Sequence, residues 1–427
     1  MMLSLFVLML VLFAIGTPVA WSMAAASVIY MTFGSHVPLQ GIVQRMTGGI
    51  DTFPLLAIPF FILAGNLMNT GGITDRLVAL AKALVGHLTG GLAQVVVVTN
   101  MIMAGMSGSG VADAAGTGSV LIPAMKKVGY PLPFSAALVA AAGTIGPIIP
   151  PSIPFVIYGS IASVSVGRLL LAGAVPGVVM GICLMIFAYV IAKRRHFPAE
   201  ERATCGEIGR AALRALPPMG MPLIILGGII GGVMTPTEAA AAGAGYAFIL
   251  GFFVYKELKM EHLAKVVVES AVATASIGII ISAASPFAFV LTLEQAPNKI
   301  LALVQEAEMA QWQFLLWVNI AFLILGAFME GTAIMIMAIP VMLPLLNMMH
   351  VDLEHFGVIF VVNIMIGNIT PPVGNIMYVV CALNKLPIWD FARAVWPFVI
   401  ALVIALALIT YIPELAMWLP NTVMPVK

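Results

Sequence analysis

Gly146-Pro147-Ile148-Ile149-Pro150-Pro151 returns 221 positions later as Gly367-Asn368-Ile369-Thr370-Pro371-Pro372. The register holds upstream at the same shift, where Pro123 in Leu121-Ile122-Pro123-Ala124 matches Pro344 in Met342-Leu343-Pro344-Leu345. Near the start of each half, Gly16-Thr17-Pro18 matches Met234-Thr235-Pro236 at a shift of 218. The chain therefore divides into a first repeat over 1–195, a linker over 196–216 and a second repeat over 217–427. A proline pair removes two amide donors and frees the carbonyls three and four residues earlier, so a helix that carries one is interrupted. Duplicated halves broken at matching places mark a transporter whose site lies where the two copies face each other.

With 62% hydrophobic and 9% charged residues, the chain lacks the polar surface to coat a water-soluble globule. Stretches 169–192, 219–233, 239–254 and 394–412 approach the roughly 20 apolar residues that cross a bilayer. Strand alternation is absent, and Leu, Ala, Ile and Met are abundant, so the crossings are helices and not barrel strands. Residues 2–13 have no basic residue before them and read as a retained helix, not a cleaved signal. A net charge of +1 excludes a large nucleic-acid-binding face. Cys183, Cys205 and Cys381 show no CxxC spacing, which argues against a disulfide framework or a metal site.

Six of the 19 basic residues fall in 193–214, which the positive-inside rule places in the cytoplasm. Stepping outward from there leaves 15 basic residues inside and only Arg45, Arg168, Lys299 and Lys427 outside. The walk uses five crossings per half, an odd number, so the second copy enters upside down and both termini face the periplasmic side. The charges agree, since Lys126-Lys127 correspond to Asn347-Met348. The expected fold is an all-α polytopic membrane protein with two inverted-topology repeats and about ten crossings, plus two re-entrant hairpins over 91–126 and 312–347 and two broken helices over 134–162 and 356–383.

Each hairpin has a polar break, Ser107-Gly108-Ser109-Gly110 in the first and Glu330-Gly331-Thr332 in the second. Gly110 to Pro150 and Gly331 to Pro371 both span 40 residues, so tip and break can meet near the bilayer midplane. Freed carbonyls with the hydroxyls of Ser107, Ser109, Thr332 and Thr370 are hard oxygen ligands suited to Na+, and half-helix N-termini favour a carboxylate. Glu330 and Asp113 are charges at a depth where charge is costly and functional by default. Asp113 also suits the start of a helix, and Glu238 after Pro236 reads as a cap. Asn363 and Asn368, near the second break, are placed to orient substrate or ligand carbonyls.

Gly105-Met106-Ser107-Gly108 spells the GxSG of intramembrane serine proteases, but the six histidines fall in loops or at helix ends, away from Ser107. A passive channel lacks a filter-like sequence here, and no Walker motif supports ATP hydrolysis.

Met106-Ser107-Gly108-Ser109-Gly110-Val111-Ala112-Asp113, the two proline-pair motifs with their flanks and Thr235-Pro236-Thr237-Glu238-Ala239 resemble the large membrane subunit of tripartite ATP-independent periplasmic (TRAP) transporters over essentially the whole chain. The resemblance implies an elevator-type, Na+-coupled transporter of an organic acid in a bacterial inner membrane, not an enzyme. A proton-coupled organic-anion transporter is the alternative. Its partners would be a small four-helix membrane subunit, expected as a separate chain, and a periplasmic binding protein that delivers the acid. Carried over by motif, one Na+ site takes in Ser107, Gly108, Ser109, Gly146, Ile149 and Pro150, and the other Glu330, Gly331, Thr332, Gly367, Thr370 and Pro371. The substrate would meet Ser109, Asp113, Pro151, Ser152, Asn363, Asn368 and Pro372.

Overall fold

The structure is a computed structural model that describes residues 2–34, 38 and 40–425; His36 and Lys427 lie outside the described residues. The first half comprises α1 (Met2–Ala14), α2 (Val19–Gly34), α3 (Gln40–Ile50), α4 (Ala57–Thr70), α5 (Ile73–Val85), α6 (Gly91–Ser107), α7 (Gly110–Lys127), α8 (Leu132–Gly143), α9 (Ile153–Ala162) and α10 (Val166–Arg195). The second comprises α11 (Cys205–Ile230), α12 (Pro236–Ile249), α13 (Met260–Leu293), α14 (Ala296–Glu306), α15 (Gln311–Phe328), α16 (Gly331–Met348), α17 (Leu353–Gly367), α18 (Asn375–Asn384) and α19 (Ile388–Tyr411), followed by α20 (Glu414–Val423). Among the described residues there is no strand, and eight helices are long and apolar enough to cross a membrane.

Side-chain caps set where many of these helices begin. Ser109, Ser152, Ser165, Thr204, Thr235, Glu330 and Asp352 each accept a backbone amide from the first turn of the helix they precede. Glu238 completes a capping box with Thr235, as its position after Pro236 suggested. A second box, Thr204 with Glu207, starts α11 at Cys205, so only 196–204 connects the halves without helix. The linker expected over 196–216 is therefore shorter, because the cap lets the polar stretch carrying Arg210 and Arg214 continue the membrane helix.

Contacts between the halves are reciprocal. In chain order α2 corresponds to α12, α4 to α13, α7 to α16, α8 to α17, α9 to α18 and α10 to α19. α12 packs on α4 while α13 packs on α2; α7 packs on α18 while α16 packs on α9; α8 packs on α19 while α17 packs on α10. A pseudo-two-fold arrangement of the copies produces such exchanges. Two amphipathic helices in matching places, α5 and α14, were not anticipated, and neither was α20. The pattern Ile73, Leu77, Leu80, Ala81 buries one face of α5 and leaves Asp75 and Lys82 outside it.

Glycine permits the closest crossings. A Cβ on Gly367 of α17 would stand 2.5 Å from the backbone of Gly326 in α15, and one on Gly143 of α8 would stand 2.9 Å from the Gly110 carbonyl oxygen in α7. Gly245 of α12, by contrast, has nothing within 4 Å of a Cβ. Gly367→Ala should therefore cost about 1–3 kcal/mol by overpacking, while Gly245→Ala should leave stability unchanged or raise it by about 0.5–1 kcal/mol. Thermal unfolding of the purified variants in one detergent measures both; equal midpoints would mean that α15 and α17 do not pack as described.

Candidate functional site

In the first half α6 ends at Ser107, and Gly108 adopts φ +61°, the left-handed region that glycine enters freely. The turn returns the chain into α7, and α6 and α7 pack on each other. A Cβ on Gly108 would lie 2.9 Å from the Pro151 carbonyl oxygen, so the tip presses directly on the break between α8 and α9. Ser107 Oγ accepts the Ser109 amide at 3.3 Å, and Ser109 Oγ accepts the Ala112 amide at 3.4 Å.

The break spans 144–152, and the Pro150–Pro151 peptide is cis. Ser152 Oγ donates to the Pro147 carbonyl and accepts the Phe155 amide, so its hydroxyl closes the turn and caps α9. Among the described residues no hydrogen bond ends on the carbonyls of Gly146, Ile149 or Pro150, although Gly146 and Pro150 are buried. The Ile149 side chain seats on Gly177 of α10, where a Cβ would come within 2.2 Å of it.

Asp113 stands in the first turn of α7 at 0% exposure, with the Ser107 hydroxyl the one side-chain donor beside its carboxylate. It lies against Gly146, where a Cβ would sit 2.3 Å from Oδ2, with Ser107 beside it. A buried carboxylate met by a single hydroxyl is costly unless something positive joins it. The α7 N-terminus offsets part of that cost.

The second half repeats the plan with different chemistry. Glu330 caps α16: Oε2 accepts the Ala333 amide at 3.1 Å, and Oε1 accepts the Thr332 hydroxyl at 2.8 Å. Both its oxygens are thus already engaged within the tip. Gly331 presses on Ile364 of α17, with the Asn368 amide nitrogen 4.0 Å from where its Cβ would be. The break spans 368–374, Pro371–Pro372 is cis, and the Val373 amide donates to the Ala327 carbonyl at 2.9 Å, tying the break to the end of α15. Thr370 donates its hydroxyl to the Ile366 carbonyl at 2.8 Å, which an uninterrupted helix would have used. No hydrogen bond among the described residues ends on the carbonyls of Thr370 or Pro371. This break is more open than the first, since Pro371 is half-buried and Pro372 exposed.

The two sites share a wall. Ile376, at the start of α18, would lie 2.9 Å from a Cβ on Gly110 at the first tip. No local pattern in either motif points to that contact, which comes from the opposite half.

The structure does not bring Asn363 to the break. Its amide donates to Asn319 Oδ1 at 2.5 Å, and Asn319 donates to Thr410 Oγ1 at 3.0 Å, so it belongs to a buried amide and hydroxyl chain joining α17, α15 and α19. Asn368 stays at the break, where its carbonyl accepts the Ile376 amide at 3.1 Å. Among the described residues the serine-protease reading finds no base: His355 Nε2 meets the Ile409 carbonyl at 2.9 Å, His87 precedes α6 at the end opposite Ser107, and His196, His262 and His350 are exposed.

A family model described as "Tripartite ATP-independent periplasmic transporter, DctM component" matches residues 6–415. The chain belongs to this family. It is 43% identical over 371 residues to the C4-dicarboxylate TRAP transporter large permease protein of Pseudomonas aeruginosa, covering 87% of each. It is 37% identical over 406 residues to the sialic acid TRAP transporter large permease protein of Vibrio cholerae, covering 95% of each. At 13% identity the Alcanivorax borkumensis YdaH transporter shares the fold, with a TM-score of 0.65 over 92% of this chain and 96% of that one. This DctM-family chain is thus a multi-pass inner-membrane transporter component and not an enzyme, and membership implies a periplasmic binding protein and a small membrane subunit as partners.

Asp113→Asn removes a buried carboxylate that only the Ser107 hydroxyl and the α7 N-terminus offset. The variant should unfold later than the parent in sodium-free buffer, by about 1–3 kcal/mol. An unchanged or lowered midpoint in a thermal scan would mean that the carboxyl group is neutral or partnered in the resting protein.

Proposed function

We infer that this chain is the large permease of a Na+-coupled TRAP uptake system for an organic acid. What carries the reading is the buried Asp113 carboxylate, with only the Ser107 hydroxyl beside it, set against Gly146 and next to carbonyls that accept no hydrogen bond. Carboxylate, carbonyl and hydroxyl oxygens from Asp113, Ser107, Gly146, Ile149 and Pro150 form a donor set of the hardness Na+ requires. Asp113 therefore serves the cation here and not the substrate, to which the motif reading had assigned it. The second Na+ would be held by Thr332, Gly367, Thr370 and Pro371, with Glu330 shaping the tip through its cap.

The substrate carboxylate would lie between the two tips, near Ser109, Asn368 and Pro372, where α7, α9, α16 and α18 begin and their free amides favour an anion. Pro151 and Ser152 line the same junction, the serine acting through the turn it closes. A bound Na+ neutralises Asp113 and so lowers the cost of moving the loaded site through hydrocarbon. Hairpins and broken helices would form the moving domain, and the remaining helices a scaffold that docks a separate small subunit. Reciprocal packing of the two copies supports the inverted repeat, and the charge bias supports periplasmic termini. The names of the relatives point to C4-dicarboxylates or sialic acids as the substrate class; sugar acids share the chemistry.

Uptake should be measured in proteoliposomes that contain the chain and its small subunit, with binding proteins loaded with each acid. An inward Na+ gradient should drive accumulation at constant pH, and Asp113→Asn should abolish it. Accumulation that persists without the Na+ gradient and follows a pH gradient instead would overturn sodium coupling in favour of a proton taken by Asp113.

A further inference from the structure

Two exposed apolar stripes converge on three arginines that no ion pair reaches among the described residues. On α10, Val178, Ile182, Ile186 and Val190 are exposed at steps of four residues, and the next step is Arg194. On α19 the exposed face runs Trp389, Arg393, Trp396, Ile400, Ile404 and Leu408, at steps of three or four. α10 and α19 pack together, so both stripes leave the same end of the bundle and travel side by side into the apolar zone. At that end a cavity of about 500 Å³ is lined by Pro131, Phe134, Arg194, Arg195, Asp390 and Arg393 among others.

Charge in this cavity is unbalanced, three guanidinium groups facing one carboxylate. Among the described residues no ion pair reaches Arg194, Arg195 or Arg393. A larger cavity, about 660 Å³, also holds three arginines, Arg76, Arg210 and Arg214, but balances them in number with three carboxylates, Asp75, Glu207 and Glu257, on its lining. There Arg76 meets Glu257 at 2.7 Å. Only the smaller cavity is left with a surplus of donors. α8 starts beside it after Pro131 and α19 starts at Ile388, so two positive helix N-termini stand against the one negative C-terminus of α10, whose last turn carries Arg194 and Arg195. Its floor is fixed, Phe134 lying 5.2 Å from Phe197 and 5.6 Å from Phe398 between ring centroids. Trp389 and Trp396, exposed on either side of Arg393, are placed as interfacial anchors, so the arginines sit at headgroup level.

We propose that this cavity binds the phosphate of an anionic phospholipid, with Arg194, Arg195 and Arg393 on the headgroup and the acyl chains along the stripes of α10 and α19. Guanidinium groups match a phosphodiester's paired oxygens. Basic pockets between membrane helices hold anionic headgroups in this way. The apolar stripes leading straight out of the cavity favour a lipid over free phosphate, which would leave them without a role. The site does not depend on sodium coupling or on the direction of transport, so failure of either leaves it standing.

The test is native mass spectrometry of the full chain released from mixed micelles of phosphatidylglycerol and phosphatidylcholine, with parallel melting curves. The parent should retain phosphatidylglycerol selectively. R194Q/R393Q should weaken that retention by roughly 30-fold, taking about 1 kcal/mol for each lost charge. R210Q/R214Q should behave as the parent, and R194K/R393K, which keeps charge but loses the planar fork, should fall between. Undiminished phosphatidylglycerol retention in both R194Q/R393Q and R194K/R393K overturns the proposal. So does full displacement of the lipid by inorganic phosphate, which would assign the cavity to the free anion. Equal melting of all variants in phosphatidylcholine alone is the expected control. Should R194Q/R393Q not fold, the lysine pair decides.

Discussion

A backbone carbonyl without a hydrogen bond costs several kcal/mol in hydrocarbon, and two proline pairs place such carbonyls in the middle of this chain. That cost determines what may surround the breaks. Each must be covered by protein, and in each half the cover is a hairpin tip that begins or ends in glycine. Gly108 comes up against the Pro151 carbonyl, and Gly331 comes up against Ile364 just ahead of the second break. Local bonds relieve part of the deficit: Ser152 takes the Pro147 carbonyl, Thr370 takes that of Ile366, and Val373 donates to Ala327. What is left over, around Gly146, Ile149 and Pro150 and around Thr370 and Pro371, is a set of oxygens held in place with no protein donor. Polar backbone at membrane depth is stable only as part of a site of this kind.

Duplication supplied the geometry twice, but the two copies have diverged in where they keep their acid. At the 221 shift Asp113 corresponds to Ile334, and Glu330 corresponds to Ser109. Glu330, one position before its helix, folds back onto its own first turn and satisfies itself. Asp113, within the first turn, cannot reach back in that way and instead lies against Gly146, whose lack of a side chain leaves room for it. The first site is buried and carries its carboxyl group inward; the second is partly open, and its carboxyl group is taken up by its own helix cap. The two breaks therefore offer different environments, one closed and one partly open.

Much of this was legible in the chain because proline pairs, tip glycines and capping residues act locally. A proline lacks its amide wherever the helix goes, and Thr235 with Glu238 closes a capping box from four adjacent residues. The amphipathic helices α5 and α14 were also within reach, through their 3.6-residue period, but sit among segments so apolar that a search for crossings passes over them. Asn363 was not legible. From Phe356 onward α17 is buried throughout and apolar apart from Asn363, so its composition carries no preferred direction, and only the packing of α15 and α19 shows that the amide turns away from the break. The same holds for Arg194 and Arg393, 199 residues apart, whose shared cavity exists only because α10 and α19 lie together.

By itself the sequence determined a membrane protein of two related halves, each broken at a proline pair and each carrying a polar tip 40 residues earlier. Those features follow from covalent chemistry and from hydropathy, which need no partner to act. Only the tertiary structure decided which polar groups are left without a partner. Whether a carboxylate, a carbonyl or a guanidinium is satisfied depends on every element that reaches it: for Asp113 these are its own hairpin tip and the break at Gly146, and for Arg393 a helix from the other half of the chain.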